Sequence, residues 1–138
     1  MIYVHPHSLW LGNAGDCLNP RAVIEAGVQA VVQLASEEPP QVFPREMIQL
    51  RFPLHDGTGN SSELLRLVVF SMECLLRAAI PTLLCCSAGM SRSPAIAACA
   101  IAKLTDQSPD AILRELQTLK PIDVSPGLWL QLLDVYNR

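Results

Sequence analysis

Residues 95–104 read AIAACAIAKL. A helix made of them is small and apolar on nearly all sides, so it has no face suited to water and belongs in the middle of a domain. Just before it, Pro81 opens TLLCC, residues 82–86, a short continuous apolar run that reads as a buried strand. Only a lean loop, SAGMSR, separates the two, with the helix expected to begin near Ser93. A buried strand that turns at once into a buried helix demands cover on both faces of a sheet, which is the condition of an α/β domain.

The rest of the chain fits that frame. SLWLGNA points to a strand around residues 8–11. Asn19-Pro20 has the form of a helix start, and the helix is expected to stop at Gly27. VQAVVQL, residues 28–34, reads as a buried strand, and the acidic, proline-rich SEEPPQVFPRE as a surface loop. IQLRFPL, residues 48–54, alternates as a strand and runs into HDGTGN. From Ser61 to Arg77, Leu64, Leu65, Val68, Met72, Leu75 and Leu76 recur at helical spacing, with Ser61 or Ser62 able to cap the helix. Two later helices have Ser-Pro starts, Ser108-Pro109 and Ser125-Pro126. The expected architecture is one α/β domain over residues 1–138, with a central sheet of about four or five mostly parallel strands flanked by helices.

Composition narrows the partners. With 138 residues and half of them apolar, the chain can bury one sizeable core. Its net charge of −3 and the lack of a basic stripe argue against nucleic-acid binding. No apolar run is long enough to span a membrane. The start, MIYVHPHSLW, lacks the charged and apolar regions of a signal peptide. The five cysteines, Cys17, Cys74, Cys85, Cys86 and Cys99, match neither a CxxC pair nor a zinc site, so a reduced, cytoplasmic protein without metal or cofactor is expected. His5 and His7, in HPH, read as a surface turn rather than a metal pair.

The loop of residues 87–92 lies at the carboxyl end of a strand and the amino end of a helix, where α/β sheets bind ligands. Helix-end N–H groups and successive loop amides can hold an anion there. Ala88 and Gly89 keep the loop lean, and Gly89 tolerates positive φ. Arg92 adds a planar donor fork suited to phosphate oxygens. A free thiol ionises near pH 8.5, and helix-end amides with a nearby cation favour its anion. Such a thiolate can attack a phosphorus held by the same donors. Cys86, the last residue before the loop, is the candidate. Cys85, its neighbour on a strand, should point the other way, into packing.

CSAGMSRS, residues 86–93, fits the Cys-x5-Arg-Ser/Thr signature of the cysteine-dependent protein tyrosine phosphatases, and its filling resembles that of the dual-specificity phosphatase family. The resemblance covers most of the chain: LWLGNA, the VVQL strand, the Asp-bearing loop after IQLRFPL, the AIAACAIA helix and the SPGLWLQLLDVY helix fall in family order. It implies a two-step hydrolysis of phosphomonoesters. Cys86 would form a phosphocysteine, while Arg92 and the loop residues Ser87, Ala88, Gly89, Met90 and Ser91 bind the phosphoryl oxygens. An aspartic acid upstream would protonate the leaving oxygen and then activate water. Asp56, thirty residues before Cys86, is the acid that fits; Asp16 is too early and Glu63 falls in a helix. Ser93 would either donate to the Cys86 sulfur or cap the helix. Ser91 would shape the loop. Gly57, Gly59 and Asn60 would set the acid loop, unless Asn60 caps the next helix. Met90 is either a flexible rim or packing under the acid loop.

The chain departs from the family at Cys85, where a histidine usually precedes the nucleophile, and in having Lys120-Pro121 and Ser125-Pro126 late in the chain. No resolving cysteine for an oxidised Cys86 is identifiable. Short loops leave little sequence for a deep pocket wall, and residues 87–91 carry no cation, so phosphotyrosine and phosphoserine or phosphothreonine in proteins are favoured over polyanionic substrates, with small aryl phosphates as further candidates. The alternative is a phosphate-binding interaction module without catalysis. Arsenate-reductase or rhodanese-like chemistry would use the same kind of loop, but arsenate reduction needs a relay of further cysteines that the spacing does not supply. The low-molecular-weight phosphatases have the loop and the acid in the opposite order.

Overall fold

The computed structural model describes residues 1–138. Its five-stranded sheet has the order β1-β2-β5-β3-β4, with β1 Ile2–Tyr3, β2 Leu9–Gly12, β3 Ala30–Ala35, β4 Ile48–Leu54 and β5 Thr82–Cys85. Only β1 runs antiparallel, paired with β2; every other neighbouring pair is parallel. Six helices complete the chain: α1 Ala14–Cys17, α2 Pro20–Glu25, α3 Ser62–Arg77, α4 Arg92–Leu104, α5 Pro109–Gln117 and α6 Pro126–Tyr136. None is long and apolar enough to cross a membrane.

Strand alternation divides the core into two layers. On β5, Leu84 and the residue after the strand, Cys86, join the larger cluster, while Leu83 and Cys85 join a smaller one with Cys17, Val23, Val28, Val31 and Phe43. On β3, Ala30, Val32 and Leu34 likewise face the larger layer and Val31 the smaller. This period of two is why adjacent cysteines have different environments. The larger layer holds α3 through α6, with α4 packed against the other three. From Arg92 to Ala102 every residue of α4 is buried, and its alanines allow the close approach this requires.

Most element boundaries follow local chemistry. Asn19, Ser61 and Ser108 each accept a hydrogen bond from the backbone N–H three residues on, and Pro20 and Pro109 occupy the first helical position. Gly27 ends α2 with φ of 89°. Three details differ from expectation. The strand expected over 28–34 is displaced to Ala30–Ala35, since Gln29 and Ala30 both donate to the Pro81 carbonyl as the chain enters the sheet. The helix expected near Ser93 begins at Arg92, so Ser93 lies inside its first turn and Ser91 is the cap residue. α3 is capped by Ser61, as expected of Ser61 or Ser62, and not by Asn60. Ser125 precedes Pro126 as expected, but its side chain makes no capping bond.

Candidate active site

The loop after β5 is held from outside by its carbonyls. Ala14 N–H, at the start of α1, donates to Ser87 O at 3.0 Å, and Asp123 N–H donates to Met90 O at 2.9 Å. A trans peptide directs its N–H opposite its C=O. The amides of Ala88 and Ser91 therefore turn away from those outside partners. None of the N–H groups of residues 87–91 donates to another group of the protein. A row of free donors at the start of a helix is an anion cradle in form.

Gly89 makes the curl possible, with φ of 74°. A β-carbon there would stand 2.9 Å from Gly12 O and 3.0 Å from Lys120 Nζ; the lysine tip can move aside but the β2 carbonyl cannot. Gly89→Ala is expected to destabilise the protein by about 1–3 kcal/mol through left-handed strain and this clash, and to weaken phosphate binding. Denaturant unfolding and phosphate titration of the variant check both effects.

Cys86 is buried at the root of the loop. Its Sγ lies 3.3 Å from Ser93 Oγ and 3.5 Å from Ser93 N, within the first turn of α4. Of the two roles expected for Ser93, the structure therefore supports contact with the sulfur and not capping.

Arg92 is 3% exposed. A buried guanidinium requires compensation, and its partner is Glu37, from the loop after β3. Nη1 and Nη2 donate to Glu37 Oε1 and Oε2, each at 2.6 Å, and Nη1 also donates to Leu54 O at 2.9 Å. These bonds use three of five N–H donors. The Nε donor is buried without a partner, and it shares one edge of the planar group with the remaining Nη2–H. Glu37 thus grips the end of the guanidinium and leaves its side edge for another anion. The hydrogen bond to Arg92 holds the Glu37 carboxyl down at about 2, and Glu37 in turn raises Arg92.

Asp56 follows β4 and lines the same cleft. Its Oδ1 accepts from Ser91 Oγ at 2.6 Å, and Ser91 Oγ in turn accepts from Ser125 N–H at 2.9 Å. One hydroxyl therefore ties the acid loop, the cradle and the start of α6, and this use of Ser91 explains why it does not cap α4. Asn60 braces the acid loop from below: its Oδ1 accepts from His55 N–H at 2.8 Å, and its Nδ2 donates to His55 O at 3.0 Å and Gly57 O at 3.2 Å. Gly57 and Gly59 both take positive φ within that loop.

The cleft of about 350 Å³ is lined by Cys86, Ser87, Ala88, Met90, Ser91 and Arg92, with Glu37, Asp56 and Asp123 around them. Met90 is partly exposed at its edge, so the rim expectation holds over packing. Gly89 stands on the far side of the loop, against Gly12. Cys85 points into the smaller core layer, as strand alternation requires. Glu37 and Asp123 are cleft residues that sequence reasoning did not identify. For Glu37 the only signal is indirect, since a buried arginine needs a carboxylate but several acids were available to supply it, and Asp123 carries none.

These features define an α/β fold of the protein tyrosine phosphatase-like kind. By sequence, no protein-family profile and no curated protein matches the chain. Solved structures do. Human DUSP28 is similar at a TM-score of 0.85 and 25% identity, over 99% of this chain and 96% of that one. A mouse putative dual specificity phosphatase, complexed with zinc tungstate, is similar at 0.82 and 22% identity, over 98% and 89%. The human tyrosine phosphatase-like serine/threonine/tyrosine-interacting protein is similar at 0.77 and 18%, over 92% and 89%. The likeness places the fold in the wider protein tyrosine phosphatase-like superfamily.

Proposed function

We propose that this chain is a cysteine-dependent phosphatase that hydrolyses phosphomonoesters in proteins through a phosphocysteine intermediate. The observation that carries the proposal is the convergence, in one cleft, of the Cys86 sulfur, the free edge of Arg92 and the Asp56 carboxyl. The free loop amides and the Arg92 edge receive the phosphoryl oxygens. Cys86 Sγ attacks phosphorus, the P–S bond forms, and the bond to the leaving oxygen breaks. Asp56 in its acid form gives that oxygen a proton. In the second step Asp56 takes a proton from water, the water oxygen attacks phosphorus, and the P–S bond breaks. The Ser93 hydroxyl, 3.3 Å from Sγ, donates to the sulfur as it leaves with negative charge.

An aspartate serving as general acid contributes about 10²–10⁴-fold. Asp56→Asn is expected to lower kcat on phosphopeptides by about that factor, and less on an aryl phosphate whose leaving group needs no proton. The Ser91 contact can be kept by the amide oxygen, so the loop geometry is not the variable. An equal loss on both substrates would remove Asp56 from the acid role.

Substrate class follows from the cleft walls. Glu37, Asp56 and Asp123 surround a single arginine, which favours one phosphoryl group over a polyanion. Phosphotyrosine and phosphoserine or phosphothreonine peptides are therefore the substrates to assay, beside an aryl phosphate, with rapid quenching and mass spectrometry of the Cys86 peptide. Turnover with a phosphorylated Cys86 is the expected result. A protein inactive over a broad pH range that still binds phosphate would be an interaction module instead.

A further inference from the structure

Cys17 and Cys85 are both free and buried, and their sulfurs lie 2.9 Å apart although 68 residues separate them in sequence. Cys17 is the last residue of α1, and Cys85 ends β5, with Cys86 between it and the cradle. A disulfide bond is about 2.05 Å long, so less than about 1 Å of approach separates this contact from a bond. The pair also borders a partly open, mainly apolar cavity of about 140 Å³, lined among others by Leu18, Gln33 and Pro39. That volume admits a molecule the size of water or peroxide. We propose that Cys17 and Cys85 are a redox modification site, a dithiol that hydrogen peroxide converts to a disulfide behind the anion cradle without involving Cys86.

The two thiols are chemically unequal. Their short contact, in which either sulfur can be the donor, lowers Cys17 and, with burial, raises Cys85, and Cys85 Sγ also meets Val32 O at 3.6 Å. With Cys17 as the attacking sulfur, Cys85 is the resolving one. The Cys17 thiolate attacks one peroxide oxygen, the O–O bond breaks, and hydroxide leaves, giving a sulfenic acid. The Cys85 sulfur then attacks the Cys17 sulfur, the S–O bond breaks, and the hydroxyl departs with the Cys85 proton as water. Two thiols are oxidised to one disulfide while one peroxide is reduced to two waters. Cys86 also borders that cavity, but its side chain packs with the larger core layer and its sulfur meets Ser93 rather than Cys17. The bond would join α1 to the base of the cradle, which α1 already touches through Ala14 N–H and Ser87 O.

The test uses the full chain, reduced and then titrated with hydrogen peroxide, alkylated and digested with trypsin. Cys17 falls in the peptide 1–21, and Cys85 and Cys86 share the peptide 78–92. A crosslink between these peptides is expected in the parent, reversed by dithiothreitol. It is expected to persist in Cys86→Ser and to vanish in Cys17→Ala and in Cys85→Ala. Persistence in Cys85→Ala together with loss in Cys86→Ser would make Cys86 the partner and overturn the proposal. So would oxidation of Cys86 to its sulfinic acid in the parent before any crosslink forms. The parent and Cys86→Ser results decide the matter even if an alanine variant fails to fold. Phosphatase activity is not a readout, so this outcome is independent of the function proposed above.

Discussion

Cys86→Ser is expected to abolish turnover, with a fall of about 10³-fold or more, while phosphate affinity stays within a few-fold of the parent. The separation of the two effects follows from the site. In the proposed reaction phosphate is held by the loop amides and by Arg92, none of which the substitution touches. What it removes is the sulfur proposed as nucleophile: a serine hydroxyl is a weak nucleophile without a base beside it, and its hydrogen-bond neighbour here is another hydroxyl, Ser93. Nor does the variant create a large void or an unpaired polar group. Serine Oγ can bond the Ser93 hydroxyl that now meets the sulfur, so stability should change by no more than about 1.5 kcal/mol. Steady-state assays on an aryl phosphate, phosphate titration and thermal unfolding measure the three quantities together. Full activity in Cys86→Ser would eliminate the phosphocysteine mechanism, and a loss of phosphate binding equal to the loss of turnover would show that the residue shapes the cradle instead.

That experiment addresses what was legible locally. The spacing of Cys86 and Arg92 and the lean loop between them are properties of eight consecutive residues, and strand alternation alone separated Cys86 from Cys85. Asp56 was picked out by the family resemblance, which implies an acid on a loop about thirty residues before the cysteine, and the structure brings it to the same cleft as Cys86. The helices other than α1 were readable from caps and apolar periods, apart from a one-residue shift at the start of α4. What could not be read was pairing between distant segments. Glu37 lies in a stretch whose acids and prolines describe an exposed loop, and half of its side chain is indeed exposed (53%). That it grips Arg92 depends on how β3 and β5 lie side by side. Ser91 was expected to shape its loop, but its two partners come from positions 35 residues before and 34 after it. The shortest elements, β1 with two residues and α1 with four, are below the length at which periodicity has meaning. α1 did carry one sign, an Asn13–Asp16 capping box in a segment otherwise too short to recognise.

Arg92→Lys should be nearly as damaging as loss of the nucleophile, although it preserves charge. A lysine cannot reproduce the fork to Glu37, the bond to Leu54 O and the free Nε edge at once. Losing one preorganised donor to transition-state charge costs about 10²–10³-fold, and here the whole side edge is lost, so a fall in kcat/KM of about 10³-fold is expected. Stability should drop by about 1–3 kcal/mol, because Leu54 O is left without its donor while the half-exposed Glu37 can rehydrate. Glu37→Gln separates positioning from contact. The variant keeps Arg92 and its edge but loosens the grip on the far end, so KM should rise more than kcat falls. It also carries a pH signature. The Glu37 carboxyl is held at about 2 against 4.5 when unpaired, so its ion pair contributes stability above pH 4.5 and loses it as pH falls toward 2. Solvent screening keeps the size of that contribution modest. Unfolding measured between those pH values should therefore fall less steeply in Glu37→Gln than in the parent. Equal slopes would mean that Glu37 is not anchored to Arg92 in solution, and the arginine would then owe its position to Leu54 O and the first turn of α4 alone.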